Sequence, residues 1–94
     1  MMTAYRTDEN HAQVAAVMRL YGAYVHDVSQ MRPSIGFDLL AAREGRLYLV
    51  EVKRDRTARM TAKEKLIHHA FEIADVKVHR VETPDDVARM FGIG

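Results

Sequence analysis

The chain has no cysteine, which excludes a disulfide scaffold and thiolate metal sites and fits a reducing compartment. A surplus of either charge is lacking too: 14 Lys and Arg stand against 13 Asp and Glu, for a formal net charge of +1. Any affinity for a polyanion must therefore come from local clusters of basic residues. No apolar run approaches the roughly 18 residues of a membrane helix, and the opening M-M-T-A-Y-R-T-D-E lacks the apolar core of a signal peptide. A cytoplasmic chain with no membrane role is the expectation. Repeats, linkers and low-complexity segments are missing as well. What is present, 94 residues that are 48% apolar and 29% charged, predicts one globular domain over residues 1–94.

The most informative stretch is Gly36 to Lys53, G-F-D-L-L-A-A-R-E-G-R-L-Y-L-V-E-V-K. Two apolar runs, Phe37–Arg43 and Arg46–Lys53, flank Glu44-Gly45, a pair that resembles the Asp-Gly hairpin signal because Gly45 tolerates positive φ. A two-residue loop pairs Arg43 with Arg46, and continuing that register sets Asp38 opposite Glu51. Side chains alternate along a strand, so Asp38, Glu51 and Lys53 share a face, with opposed Cβ atoms roughly 5 Å apart. Two carboxylates and an ammonium converge.

Opposed like charges destabilise a sheet unless a positive charge compensates them. A divalent cation supplies one, and Mg²⁺ is commonly held by one or two carboxylates with waters and phosphate oxygens completing its shell. Lys53 can then orient or deprotonate a water, or neutralise charge growing on a phosphate. The plainer reading makes Asp38 and Glu51 solvated residues with Lys53 as a surface partner worth under about 1 kcal/mol. Leu40, Leu47 and Leu49 lie on the same face and argue against its being wholly exposed.

Asp38 followed after thirteen positions by Glu51-Val52-Lys53 resembles the core of the PD-(D/E)XK nucleases. Within that superfamily, Gly36-Phe37-Asp38, the hairpin, Glu51-Val52-Lys53 and Thr61-x-x-Glu64 resemble the small stand-alone virus-type replication-repair (VRR-NUC) nucleases and related phage proteins, and archaeal Holliday-junction resolvases share the layout. The likeness runs from about Asp8 to Phe91. Phe37 stands where the proline of the superfamily's name would be, and Glu64 where many relatives carry glutamine.

The resemblance implies an α/β, restriction-endonuclease-like core: a helix, three antiparallel strands, a crossover helix, a parallel strand and a terminal helix. It implies a metal-dependent DNA endonuclease, of phage or bacterial type, that hydrolyses phosphodiester bonds, with branched or Holliday-junction-type DNA among its substrates. Asp38, Glu51 and the Val52 carbonyl would hold Mg²⁺ or Mn²⁺, with Lys53 positioning the water. Relatives place a further acid on the first helix, here Asp8 or Glu9, within a D-x-N-H run from Asp8 to His11 that resembles the phage proteins. Small nucleases of this kind often act as homodimers, since two strands must be cut. The alternative is an inactive nuclease fold that binds DNA or a partner protein.

The remaining residues have structural explanations of their own. Thr7 or Asp8 can N-cap the first helix with Glu9 in its first turn, and Val14, Val17, Met18 and Tyr21 repeat at helical spacing before Gly22. Tyr24–Val28 reads as a strand, and residues 29–35 as a loop whose Arg32 and Ser34 can reach a DNA backbone. Lys53, Arg54, Arg56, Arg59, Lys63 and Lys65 form the densest basic run, opposed by Asp55 and Glu64. Such a run is often only a solvated face, but beside the acidic pair it points to phosphate contacts.

Thr61-Ala62-Lys63-Glu64 is a capping box for a second helix with an apolar stripe of Leu66, Ile67, Ala70, Phe71 and Ala74. The box accounts for Glu64, while the resemblance adds a supporting role near the site. His68 and His69 are adjacent, hence on different faces, and read as structural or surface residues. Val76–Val81 should run parallel to the second hairpin strand. Thr83-Pro84-Asp85-Asp86 opens a last helix whose Val87, Met90, Phe91 and Ile93 can cover the sheet or face a twin subunit.

Overall fold

In the computed structural model, residues 2–53 and 59–93 are described, with the side chains of residues 2–9 left aside. The elements run α1 (Met2–Leu20), β1 (Tyr24–Asp27), β2 (Leu39–Arg43), β3 (Arg46–Val52), α2 (Ala62–Ile73), β4 (Val78–Val81) and α3 (Pro84–Phe91). The four strands form one sheet in the order β1-β2-β3-β4. The first three are antiparallel and β4 is parallel to β3. The fold is the expected restriction-endonuclease-like α/β core.

The hairpin turns where expected and for the expected reason. Glu44 (φ 50) and Gly45 (φ 79) both adopt positive φ, the type I′ geometry whose twist matches the flanking strands. Arg43 consequently pairs with Arg46, and each later pair follows through Leu39 opposite Val50.

Alternation along the strands divides the apolar side chains between two faces. On one, Val25, Leu39, Ala41, Val50, Val52 and Val81 pack with Val14 and Met18 of α1 and with Val87 and Phe91 of α3. On the other, Leu49 joins Val28 and Phe37, flanked by Leu40, Phe71 of α2 and Val78. Helix α3 therefore covers the sheet, and its Val87 and Phe91 are buried in this chain's own core instead of facing a twin subunit.

Two expectations fail. Helix α1 begins at Met2, so Thr7 and Asp8 lie inside it and not at its start; the polar residues that resembled a start signal are accommodated in a continuous helix. The stripe of α2 is only half used. Ile67 and Phe71 turn inward, whereas Leu66 is 70% exposed and Ala70 and Ala74 also face outward. The helix rests on the sheet along one narrow flank.

That flank is fitted to Gly36. A Cβ built there would lie 2.6 Å from Cγ2 of Ile67, and Gly36 has φ +89. The Gly36 carbonyl and His68 Nε2 are 2.7 Å apart, so a half-buried His68 tethers the helix to the loop before β2. Replacing Gly36 by alanine should destabilise the fold by about 3 kcal/mol through overpacking and positive-φ strain together. Gly45→Ala should cost only about 1 kcal/mol, because nothing lies within 4 Å of its Cβ position. Urea unfolding of the two variants measures the difference.

Candidate active site

The strand ladder ends one pair short of Asp38, and a side chain continues it. Asp38 N–H still donates to the Val50 carbonyl at 2.8 Å, and Asp38 Oδ2 then accepts the Val52 N–H at 2.8 Å. This places the Asp38 carboxylate at the C-terminal end of β3, beside Glu51.

Glu51 is only 2% exposed and is the one buried charged residue among those described. Its Oε2 lies 2.8 Å from Lys53 Nζ, as expected for residues two apart on a strand. Lys53 Nζ is also 3.9 Å from Glu64 Oε1. Glu64 is held there by its helix start: its Oε1 accepts the Thr61 N–H at 2.8 Å while its own N–H donates to Thr61 Oγ1 at 3.1 Å. The capping box and the approach to the site are thus the same arrangement. Helix α1 closes the other side. Asn10 Nδ2 donates to the Lys53 carbonyl at 2.8 Å, and His11 Nε2 lies 3.8 Å from Asp38 Oδ2.

Three carboxyl groups and one ammonium are therefore crowded together. Burial pushes the Glu51 carboxyl upward; the Lys53 hydrogen bond offsets part of this, the charges of Asp38 and Glu64 add to it, and the result is about 8. Burial would also raise Glu64, but the Thr61 N–H, the hydrogen bond with Glu51 and the Lys53 charge outweigh it and hold Glu64 below its ordinary value. Two neighbouring acids are pushed apart, one toward its neutral form and one toward its charged form.

The residues suit a hard divalent cation. Among the described residues Glu51 Oε1 is buried with no hydrogen-bond donor, and a carboxylate oxygen in that condition is costly unless a positive charge faces it. Carboxylates and a main-chain carbonyl are oxygen donors of the kind Mg²⁺ and Mn²⁺ accept. Among the described residues no three His, Cys, Asp or Glu side chains are grouped so as to hold a metal ion by themselves. Asp8 and Glu9, the two candidates for a further acid, fall where side chains lie outside the described residues.

Of the proposed DNA contacts, Arg54 and Arg56 lie outside the described residues, and Arg59 and Lys63 are exposed. Arg32 is folded onto its own loop, with Nη1 donating to the carbonyls of Ser29 at 3.2 Å and Met31 at 2.9 Å. His69 is exposed beside Glu72 at 3.8 Å, and His68 serves the Gly36 contact, which agrees with reading both as structural or surface residues. Sequence reasoning did not single out Asn10 or His11 as site neighbours. The D-x-N-H run was the available signal, but nothing in its spacing says which strand end the helix will meet.

Comparison with solved structures finds a VRR_NUC domain with a TM-score of 0.76 and 20% sequence identity, covering 93% of this chain and 95% of that one. The chain has a VRR-NUC nuclease-like fold. No family model and no curated protein matches it. At this identity the likeness concerns backbone architecture, and it extends over nearly all of both chains. In this VRR-NUC-like frame, Asp38, Glu51 and Lys53 meet at the end of β3, between the start of α2 and the Asn10-His11 turn of α1.

The raised carboxyl yields a signed prediction for the metal-free protein. The Glu51 carboxyl has its ordinary value of 4.5 when unfolded and is pushed up to about 8 when folded. The folded state then binds more protons between those values, so the Glu51 contribution is complete below about 4.5 and is lost as pH rises toward 8. Glu51→Gln, which cannot ionise, should gain thermal stability relative to the natural chain on going from pH 5 to pH 8 in EDTA. Paired melting curves at the two pH values test this, and a constant difference would refute it.

Proposed function

We propose that this chain is a Mg²⁺- or Mn²⁺-dependent endonuclease that hydrolyses DNA phosphodiester bonds. The observation that carries the reading is the buried Glu51, with one carboxylate oxygen lacking a donor among the described residues, beside Asp38 and Lys53. Buried, mutually perturbed ionisable groups of this kind cluster at functional sites. The VRR-NUC-like fold supports the same reading by analogy of architecture.

Asp38 and Glu51 would hold the metal, with the Val52 carbonyl as a further oxygen donor. When bound, the cation would lower the pKa of water and stabilise charge on the phosphate. The chain's own groups have separate tasks. The Val52 N–H fixes the orientation of Asp38, leaving the carboxylate little rotational freedom to lose on binding. Lys53 Nζ, between Glu51 and Glu64, would orient a water and offset negative charge at the scissile phosphate. Glu64 supports Lys53 from the capped end of α2. Asn10 holds the main chain at Lys53, and an acid from Asp8 or Glu9 would complete the site from α1.

Cutting both strands of a duplex takes two such sites, so the proposal includes a homodimer as the working form. Asp38→Ala and Lys53→Ala should each reduce nicking by about a hundred- to a thousandfold, the scale expected when a group stabilising transition-state charge is removed. Their circular dichroism spectra should be unchanged. The assay uses branched, flapped and linear DNA, with Mg²⁺, with Mn²⁺ and with EDTA. Cutting that persists in EDTA, or at full rate in either variant, would refute the mechanism.

A further inference from the structure

Helix α1 meets the candidate site through a polar residue at the end of its apolar flank. Asn10, Val14 and Met18 recur at i, i+4 and i+8 and so share one side of the helix. Val14 and Met18 are buried in the larger core. Asn10 carries the same side on to the end of the sheet, where it is half-buried and its Nδ2 donates to the Lys53 carbonyl at 2.8 Å across 43 positions of sequence. A carbonyl can only accept, so the amine end of the amide has to face it. An apolar side chain of the same size would fill the space but would take this donor away from the carbonyl.

Strand β3 ends at Val52, and Lys53, one residue on, is held by two other elements. Its N–H donates to the Val81 carbonyl of β4 at 2.9 Å, and its carbonyl accepts from Asn10 of α1. Each peptide group is planar, so the two hydrogen bonds fix the planes on either side of the Lys53 Cα. With both planes fixed, the direction of the Cα–Cβ bond is fixed as well, and the side chain leaves the main chain toward Glu51 and Glu64. The first of these planes also contains the Val52 carbonyl, the main-chain oxygen of the proposed metal site. Strand β4 sets that plane, and α1 sets the next.

We infer that Asn10 is a positioning residue for Lys53: by holding the Lys53 carbonyl it sets the direction in which the ammonium reaches the reacting phosphate, and it acts on the rate of the chemical step and not on DNA binding. The inference rests on the nuclease reading above for what Lys53 does, and one arm of its test needs no cleavage. Asn10→Leu keeps the bulk and removes the donor. Asn10→Ala, which a helix interior accepts readily, is a second variant with the same loss. Val17→Ala is the control: Val17 packs against the larger core from the same helix, so its truncation loosens α1 while leaving Asn10 in place.

Both Asn10 variants should lower kcat at least about tenfold while KM for DNA stays within about twofold, since a misplacement of about 1 Å can cost on the order of a hundredfold in rate. Val17→Ala should keep the natural kcat at temperatures below its melting transition. In EDTA, the Lys53 N–H should exchange with solvent at least about tenfold faster in Asn10→Leu than in the natural chain, with the amides of Val25 and Val87 unchanged. The natural kcat in both Asn10 variants would overturn the inference, as would a rise in KM in place of a fall in kcat, which would assign Asn10 to DNA binding. An equal loss of kcat in Val17→Ala would also overturn it, by making the effect one of helix packing. If the natural chain cuts no DNA, the nuclease reading falls, and the exchange measurement decides separately whether Asn10 holds Lys53: unchanged protection of the Lys53 amide would overturn that contact as a clamp.

Discussion

The hydrogen bond from the Val52 N–H to Asp38 Oδ2 is the interaction on which the rest of the site depends. It takes the place of the next rung of the ladder, so a side chain finishes what the main chain of β2 leaves undone. The bond exists because the hairpin register is exact to the residue. The type I′ turn at Glu44-Gly45 sets that register, and a slip of one residue would move every side chain of β3 to the opposite face. Glu51 would then point toward Val14 and Met18, where no cation could reach it.

Crowding acids at the end of β3 has an energetic cost that the surroundings only partly relieve. Burying a carboxylate disfavours its charged form, and a buried ion pair often fails to recover the desolvation of both partners. Lys53 reaches Glu51 closely but is shared with Glu64, and one Glu51 oxygen has no donor among the described residues. A fold selected only for stability would have no use for this arrangement. Natural proteins break the rule of satisfied buried polar groups chiefly where they do chemistry.

The two layers around the sheet meet at this point. On one side α1, anchored by Val14 and Met18 in the larger core, brings Asn10 to the Lys53 carbonyl and His11 toward Asp38. On the other, α2 is seated by Ile67 against Gly36 and by His68 at the Gly36 carbonyl. That seat fixes where the helix begins, and the capping box at its start aims Glu64 at Lys53. Local helix chemistry and the composition of the site are coupled through one glycine that has no room for a methyl group.

Much of this was legible in the residues themselves, because the signals involved are short in range. A Glu-Gly turn between alternating apolar runs sets a register by counting, and counting alone puts Asp38 beside Glu51 and Lys53 on the same face as Glu51. The capping boxes at Thr61 and Thr83 mark helix starts through contacts spanning three residues. Where the first helix began was less legible, since Thr7 and Asp8 are as compatible with a helix interior as with a cap once the preceding residues continue the helix. How much of the α2 stripe would be used depended on the angle at which it meets the sheet, which no local spacing encodes. Long-range packing alone decided that Asn10 and His11 sit at the site, that Glu51 is buried deeply enough to lose its ordinary acidity, and that β4 brings Arg80 alongside it. Those outcomes join residues from 27 to 43 positions apart, and such contacts are set by how the layers close on one another, not by the preferences of any single segment.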